Sequence, residues 1–447
     1  MKKCYLSVMC LFLALLVVAQ TEKKDEQFIK KNWNFGALPA ITFDTDLGFQ
    51  YGALVDLYNY GDGSRYPKYN HKFYFEVSRF TKGSGINRIY YDSDQLIKGL
   101  QTTFDLSYLS DMAYDFYGFN GYDAVYLADW ADDESADYVS RMFYKYDRKL
   151  FRFKGDIQGK LSGEHFRWIT GWNFQNFKVG SVNIDKLNKG KDEEDKLPST
   201  TEKPGLYEKY KEWGIISGDE IDGGFVPTFK GGIVFDTRDN QPNPMKGVWT
   251  EAVIEASPEI LGAESSFSKL SLTHRQYFTL VPENLSLVYR LAYQTTLGGK
   301  VPFYYQSQVI TSMMTGATSE GLGGGSTLRG ILRNRVIGDG FFYGNVEARW
   351  KFVRFNFIKN NFYLGLNGFT DFGKVTKKLD VESIVAPMSS IPRRDYFNWD
   401  AEKMHFSYGA GLIVAMNENF VISMDYGMAA KKQDGKSGFY MGLNYLF

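Results

Sequence analysis

The chain has 447 residues, and its 52 Lys+Arg balance 52 Asp+Glu, so it carries no formal net charge. That balance excludes a generally basic nucleic-acid binder and a disordered acidic tail. Pro is scarce at 12, which excludes a Pro-rich low-complexity chain, while aromatic residues reach 17%, a share that any fold must place.

The N-terminus reads Met1-Lys2-Lys3, continues through an apolar run from Cys4 to Val18, and reaches Ala19 before Gln20. A positive start, an apolar stretch and small residues at the end predict a signal peptide over 1–19, cleaved after Ala19. An uncleaved anchor would need about 20 apolar residues. A lipoprotein would need a small residue before Cys10, where Met9 stands. Cys4 and Cys10 are the chain's 2 cysteines. The mature chain is therefore expected to hold no disulfide, thiolate metal site or cysteine nucleophile. Residues 20–35 read as a short periplasmic lead, too short for a folded domain.

After Ala19 no run of about 18 apolar residues occurs, so membrane-spanning helices are excluded. The chain alternates instead. Strands are predicted at 36–44, 47–59, 71–81, 86–94, 98–110, 141–162, 165–180, 227–236, 247–258, 264–280, 284–297, 341–354, 361–373, 404–416, 419–430 and 437–447. In the twelfth, Val346, Ala348, Trp350 and Phe352 alternate with Asn345, Glu347, Arg349 and Lys351. In the thirteenth, Phe362, Leu364 and Leu366 alternate with Tyr363, Gly365, Asn367, Phe369 and Asp371. A soluble sandwich would also alternate, but here the second face carries glycines and full charges, as a barrel interior does. Short connections such as 162–164 and 281–284 alternate with long ones at 111–140, 181–226, 298–340 and 374–403. The fold class is all-β: a 16-stranded antiparallel transmembrane β-barrel over 36–447, placed in a bacterial outer membrane, because lipid forces a spanning sheet to close.

Within the loops, 111–140 holds eight acids (Asp111, Asp115, Asp123, Asp129, Asp132, Asp133, Glu134 and Asp137) and reads as a solvated external loop. The Lys/Glu-rich 185–212 segment reads the same way. The turn at Asp236-Thr237-Arg238-Asp239-Asn240, followed by Pro242, Pro244 and Gly247, joins two strands. Gly321-Leu322-Gly323-Gly324-Gly325-Ser326-Thr327-Leu328-Arg329-Gly330 lies between strands and lacks the Gly-Lys-Ser/Thr of a phosphate cradle. His71, His165, His274 and His405 are scattered, with no His-Glu-x-x-His or Gly-x-Ser-x-Gly.

The turn at 235–247, the glycine-rich loop, Asn345-Val346-Glu347-Ala348-Arg349 and Phe369-Thr370-Asp371-Phe372-Gly373 follow in an order and spacing that resemble the BamA/TamA-type superfamily, also called bacterial surface antigen barrels. Phe116-Tyr117-Gly118-Phe119-Asn120-Gly121 is similar to an aromatic-Gly loop of patatin-linked members. The match is good over 227–447 and weak over 36–180. The resemblance implies that the loop after the eleventh strand folds back into the lumen. It further implies that its tip, Arg329-Gly330, is locked there on Glu347 and Asp371. Leu328 and Ile331 stand where the family has Val and an aromatic residue, and the family's periplasmic POTRA domains have no counterpart in 20–35. The final Tyr440-x-Gly442-x-x-Tyr445-x-Phe447 looks like the barrel-assembly signal, with polar, Gly and terminal aromatic positions.

Function is then expected in protein insertion, export or related envelope assembly, with a separate periplasmic partner or client protein. Outer-membrane lipid and lipopolysaccharide are the expected surroundings; no cofactor, metal or nucleic acid is expected. A passive pore for small solutes is the alternative, and an outer-membrane enzyme a third reading that no motif supports.

Overall fold

The computed structural model describes residues 28–44, 48–241, 243–312, 321–389 and 391–447. The expected signal peptide and the first part of the lead lie outside them. Among the described residues no helix is long and apolar enough to cross a membrane.

One antiparallel sheet dominates. Its first strand, β1, comes in two pieces, Trp33–Pro39 and Thr42–Asp44, both paired with the next strand in the same register, Pro39 opposite Ala53 and Thr42 opposite Gln50. The others are β2 (Gly48–Asn59), β3 (His71–Phe80), β4 (Gly85–Ile97), β5 (Leu100–Asp115), β6 (Lys145–Ser162), β7 (Phe166–Gly180) and β8 (Gly223–Asp236). There follow β9 (Gly247–Ser257), β10 (Phe267–Val281), β11 (Leu285–Gly299), β12 (Gly340–Phe357), β13 (Asn360–Lys377), β14 (His405–Met416), β15 (Phe420–Ala429) and β16 (Ser437–Leu443). Each strand pairs with the next along the chain. An even strand number puts the two ends of the sheet at the same rim, the one with the short turns. There the first strands meet the last turns: Phe28 N donates to Asn361 Oδ1 at 2.9 Å, Tyr58 OH to Asn419 O at 3.1 Å, and Gly36 lies against the Phe420 ring.

Polarity is inverted relative to a soluble sheet. Asp105, Asp156, Lys230, Glu251, Asn345, Glu347 and Asp371 are buried, while Ile89, Leu106, Phe153, Leu366 and Phe439 are exposed. The register explains this. Phe75, Ile89, Leu106, Phe153, Phe174 and Pro227 form one cross-strand row on the outward face of β3 to β8, apolar throughout. Inward residues between them are polar because they face the lumen and each other.

At the long-loop rim the solvated-loop expectation holds for most of the charged residues and fails for the aromatic ones. Phe116, Tyr117 and Phe119 pack with Phe143, Tyr144, Tyr207, Tyr210, Phe303 and Phe397 in one aromatic cluster. The 185–212 segment contributes two short helices, α1 (Ile184–Asn188) and α2 (Leu206–Glu212). Leu206, Tyr207 and Tyr210 form the buried side of α2, and Glu208 caps it by accepting from Gly205 N at 3.0 Å. Of the eight acids, Asp123 is buried and Asp111 and Asp115 are in ion pairs, while Asp129, Asp132, Asp133, Glu134 and Asp137 are exposed. Charge composition predicted solvation; the aromatic residues interleaved with the charges decide the packing instead, and the loops form a dome.

At the other end the predicted strand 437–447 stops at Leu443. Asn444 takes a left-handed φ of 72° and the last residues turn inward, so Tyr445 and Phe447 are buried and do not continue the lipid-facing alternation of Phe439 and Met441.

A charge on the apolar row should be costly. Phe153→Arg is expected to destabilise the folded barrel by about 2–4 kcal/mol, read from its urea transition in vesicles. Its neighbour Lys154 already carries a cation inward; an unchanged transition would refute the lipid-facing assignment.

Candidate functional site

The connection between β11 and β12 enters the lumen, and its described residues on either side of 313–320 are tied to the wall. Its first part runs along β8 to β11. Gln294 donates to Gln308 O and accepts from Ile310 N, both at 2.8 Å, and Ser271 Oγ donates to Ile310 O at 2.8 Å. Lys230 Nζ donates to Thr311 O at 3.1 Å and pairs with Asp156 at 2.8 Å.

Its second part is a compact turn closed by a bridge between Leu322 and Val336. Gly321, Gly323 and Gly324 take φ of 56°, 118° and 79°, a left-handed region that glycine enters without strain. Thr327 Oγ1 accepts from Gly323 N at 2.9 Å and donates to Gly321 O at 3.0 Å, holding the coil together. Leu322, Leu328, Ile331 and Val336 fill its interior against Phe341, Tyr343 and Val375. The aliphatic Leu328 and Ile331 thus serve as packing residues.

At the tip, Arg329 is 1% exposed. Its Nε and Nη2 donate to the two oxygens of Asp371, each at 2.9 Å, and its backbone N adds a third bond to that carboxylate, also at 2.9 Å. Nη2 pairs with Glu347 Oε1 at 2.7 Å, and Nη1 donates to Asp425 Oδ2 at 3.2 Å. The guanidinium also lies 3.5 Å from the centre of the Phe369 ring. This is the planar, bidentate recognition that arginine supports and lysine does not. Burial works against the charge; Glu347 and Asp371 outweigh it and raise the Arg329 pKa above the ordinary arginine value. Glu347 is shared with Arg349, whose Nε donates to it at 2.7 Å.

Gly330, φ 92°, lets the tip touch the wall. A Cβ there would lie 2.5 Å from Met428 N, and one on Gly427 of β15 would lie 2.7 Å from the Arg329 carbonyl carbon. Gly330 N donates to Tyr440 OH at 3.0 Å, so the residue expected as part of the terminal signal receives the loop tip. Gly442 sits opposite Ser423 on β15. Tyr445 OH meets Tyr363 OH at 3.2 Å, and Phe447 O accepts from Arg349 Nη2 at 3.0 Å.

The turn motif is separate from the tip. Arg238 forks onto Asp236 at 2.9 and 3.1 Å and stacks over Trp249 at 4.4 Å. Asp239 Oδ1 accepts from Met245 N and Lys246 N at 3.0 and 3.3 Å. Asn240 lines a cavity of about 460 Å³ at the short-turn rim with Asn243 and Glu418.

Sequence reasoning missed four partners. Asp425, the acid of β15, completes the carboxylate set, and its signal was a lone acid in a largely apolar strand. Arg333 reaches across to β5, donating to Asp115 at 2.6 Å and Asp111 at 2.9 Å. Arg335 donates to Gly121 O at 2.8 Å, Ala124 O at 3.0 Å and Gln433 O at 2.8 Å, linking the loop to the dome. Beside it, His405 stacks on Tyr122 at 3.8 Å and bonds Asp434 at 2.6 Å and Glu402 at 3.2 Å. The Phe116–Gly121 segment therefore packs on the plug as part of the dome.

The model of the Omp85 superfamily domain matches residues 67–447. The chain belongs to the Omp85 superfamily. Among solved structures, CdiB from Escherichia coli is similar at 9% identity and a TM-score of 0.54, over 92% of this chain and 61% of that one. BamA from Haemophilus ducreyi lacking POTRA domains 1–3 is similar at 14% identity and a TM-score of 0.49, over 93% of this chain and 70% of that one. The chain thus spans roughly two thirds of the length of these barrels. No curated protein matches it by sequence.

Removing one partner of a buried pair strands the other, so Arg329→Ala and Asp371→Asn should each lower stability by about 3 kcal/mol. The double variant should fall well short of the sum. Gly427→Ala should loosen the tip without removing a charge. Urea unfolding with protease access to 321–335 reads all three; additive losses would show that the contacts act independently.

Proposed function

We propose that this Omp85 barrel works in the bacterial outer membrane in protein insertion, export or related envelope assembly, together with a separate periplasmic partner. Residues 1–19 are its cleaved signal peptide, and the residues from 20 to the start of β1 at Trp33, shorter than the expected 20–35, its periplasmic lead. The observation that carries the reading is the Arg329 tip on Glu347, Asp371 and Asp425. A passive pore has no need of a loop fastened across its lumen by buried ion pairs, whereas a barrel that opens for a client needs a closed resting state. The neighbours named BamA and CdiB support the fold side of this reading. In this proposal Arg329-Gly330 is the lock, Glu347 and Asp371 its catch, and Tyr440, Gly442, Tyr445 and Phe447 the segment that presents the barrel for assembly. The Asp236–Asn240 turn keeps the β8–β9 rim rigid, which leaves the loop as the part that moves. The barrel moves polypeptide and performs no covalent chemistry of its own.

The test is electrical. In planar bilayers the intact protein should give low or flickering conductance, and deletion of 321–335 should open a larger, steadier pore. A large steady conductance of the intact barrel would favour the passive pore and overturn the proposal. The assembly role of the terminus has its own check: deleting Tyr445 to Phe447 should sharply reduce heat-modifiable folded barrel in cells, and wild-type amounts would contradict it.

A further inference from the structure

Above the apolar row, the outward face of β3 to β8 carries another cross-strand row: Arg79, Gly85, Ser110, Lys149, Lys178 and Gly223. It holds three cations, one hydroxyl, two glycines and no carboxylate. Lys149 and Lys178 stand directly opposite each other, an arrangement that like charges disfavour. A fourth cation joins from the loops. Lys186 of α1 extends its ammonium over the β3–β4 turn, 2.3 Å from where a Cβ on Gly83 would lie. Among the described residues none of Lys149, Lys178 and Lys186 has an ion-pair partner. The acid that faces all three, Asp147 of β6, acts on them only at longer range. Arg79 donates to neutral oxygens, those of Ser78, Ile86 and Asn87.

The depth of this row is set by the strands. One row closer to the short-turn rim come Val77, Asn87, Tyr108, Phe151, Asn176 and Phe225, a mixed row with three exposed aromatic residues, and one row further comes the wholly apolar row of Ile89, Leu106 and Phe153. Each step is two residues, about 7 Å. Hydrocarbon, aromatic girdle and cations therefore follow in the sequence that a bilayer presents as acyl chain, interface and headgroup.

We propose that Arg79, Lys149, Lys178 and Lys186 form a binding site for the phosphate of an anionic membrane lipid in the leaflet on the long-loop side. A phosphate between the opposed lysines supplies the negative charge the row lacks, while the aromatic residues beneath receive the upper acyl chain. Ser110 Oγ, which donates to Gly83 O at 3.0 Å, fixes the turn over which Lys186 reaches. The site rests on the reading that this face meets lipid.

The test uses the whole protein in phosphatidylcholine vesicles, alone or with diphosphoryl lipid A, with dephosphorylated lipid A, or with inorganic phosphate. Diphosphoryl lipid A should raise the thermal transition of the barrel and stay bound in native mass spectra. Retention should fall about tenfold in the Lys149→Gln, Lys178→Gln double variant. Lys374→Gln, an outward lysine on β13, should leave it unchanged. Equal retention of the dephosphorylated lipid, an unaffected double variant, or full displacement by inorganic phosphate would overturn the lipid-phosphate site. Failure of the protein to enter vesicles at all would instead remove the lipid-facing reading, and the site with it.

Discussion

A guanidinium buried in the lumen must find carboxylates, and much of this structure is arranged around that demand. Arg329 is 1% exposed and meets Asp371, Glu347 and Asp425 on three different strands. A buried charge without such partners would be unfavourable by several kcal/mol. The carboxylates in turn would repel one another if the tip withdrew. The glycines make the approach possible: Gly330 and Gly427 bring two backbones into contact, and Gly411 leaves room where a Cβ would lie 1.9 Å from Asp425 Oδ1. The plug and the wall around it are thus one electrostatic unit.

The loop does more than fill space. Its arginines at 329, 333 and 335 point to three separate regions: the β12–β15 wall, the opposite wall at β5, and the dome. Its earlier part is held by amide and hydroxyl bonds to Gln294 and Ser271 and by the charged groups of Lys230, Glu251 and Glu255.

The dome adds a second closure at the other rim. Its aromatic cluster packs over the long-loop mouth, and Arg335 couples it to the plug. The aromatic share of the chain is divided between three tasks: the outward row that meets lipid, the dome, and the rings beneath arginines, as Phe369 lies beneath Arg329. The same side-chain type serves all three because it combines apolar area with a face that attracts cations.

Period-two alternation was legible from the residues alone, because the pleat of a strand forces successive side chains to opposite faces. It settled the sixteen strands, most boundaries to within a few residues, and the inward direction of Glu347 and Asp371. The glycine-rich loop and Arg329 were legible for a similar reason: glycine at several positions signals backbone that a Cβ would block. What alternation cannot carry is contact between segments distant in the chain. Asp425 joins Arg329 across 96 residues, and Arg333 reaches Asp115 across 218. The acidic 111–140 loop reads as solvated because its charges are local, whereas the burial of its aromatic residues comes from aromatic residues of three other loops. The inward turn of Tyr445 and Phe447 likewise obeys Arg349 and Tyr363, not the strand's own period. Local sterics and hydrophobic period are properties of neighbouring residues, so the chain itself determined them. Which charge meets which, and which aromatic is covered, depends on how the sheet curls, and only the tertiary structure decided that.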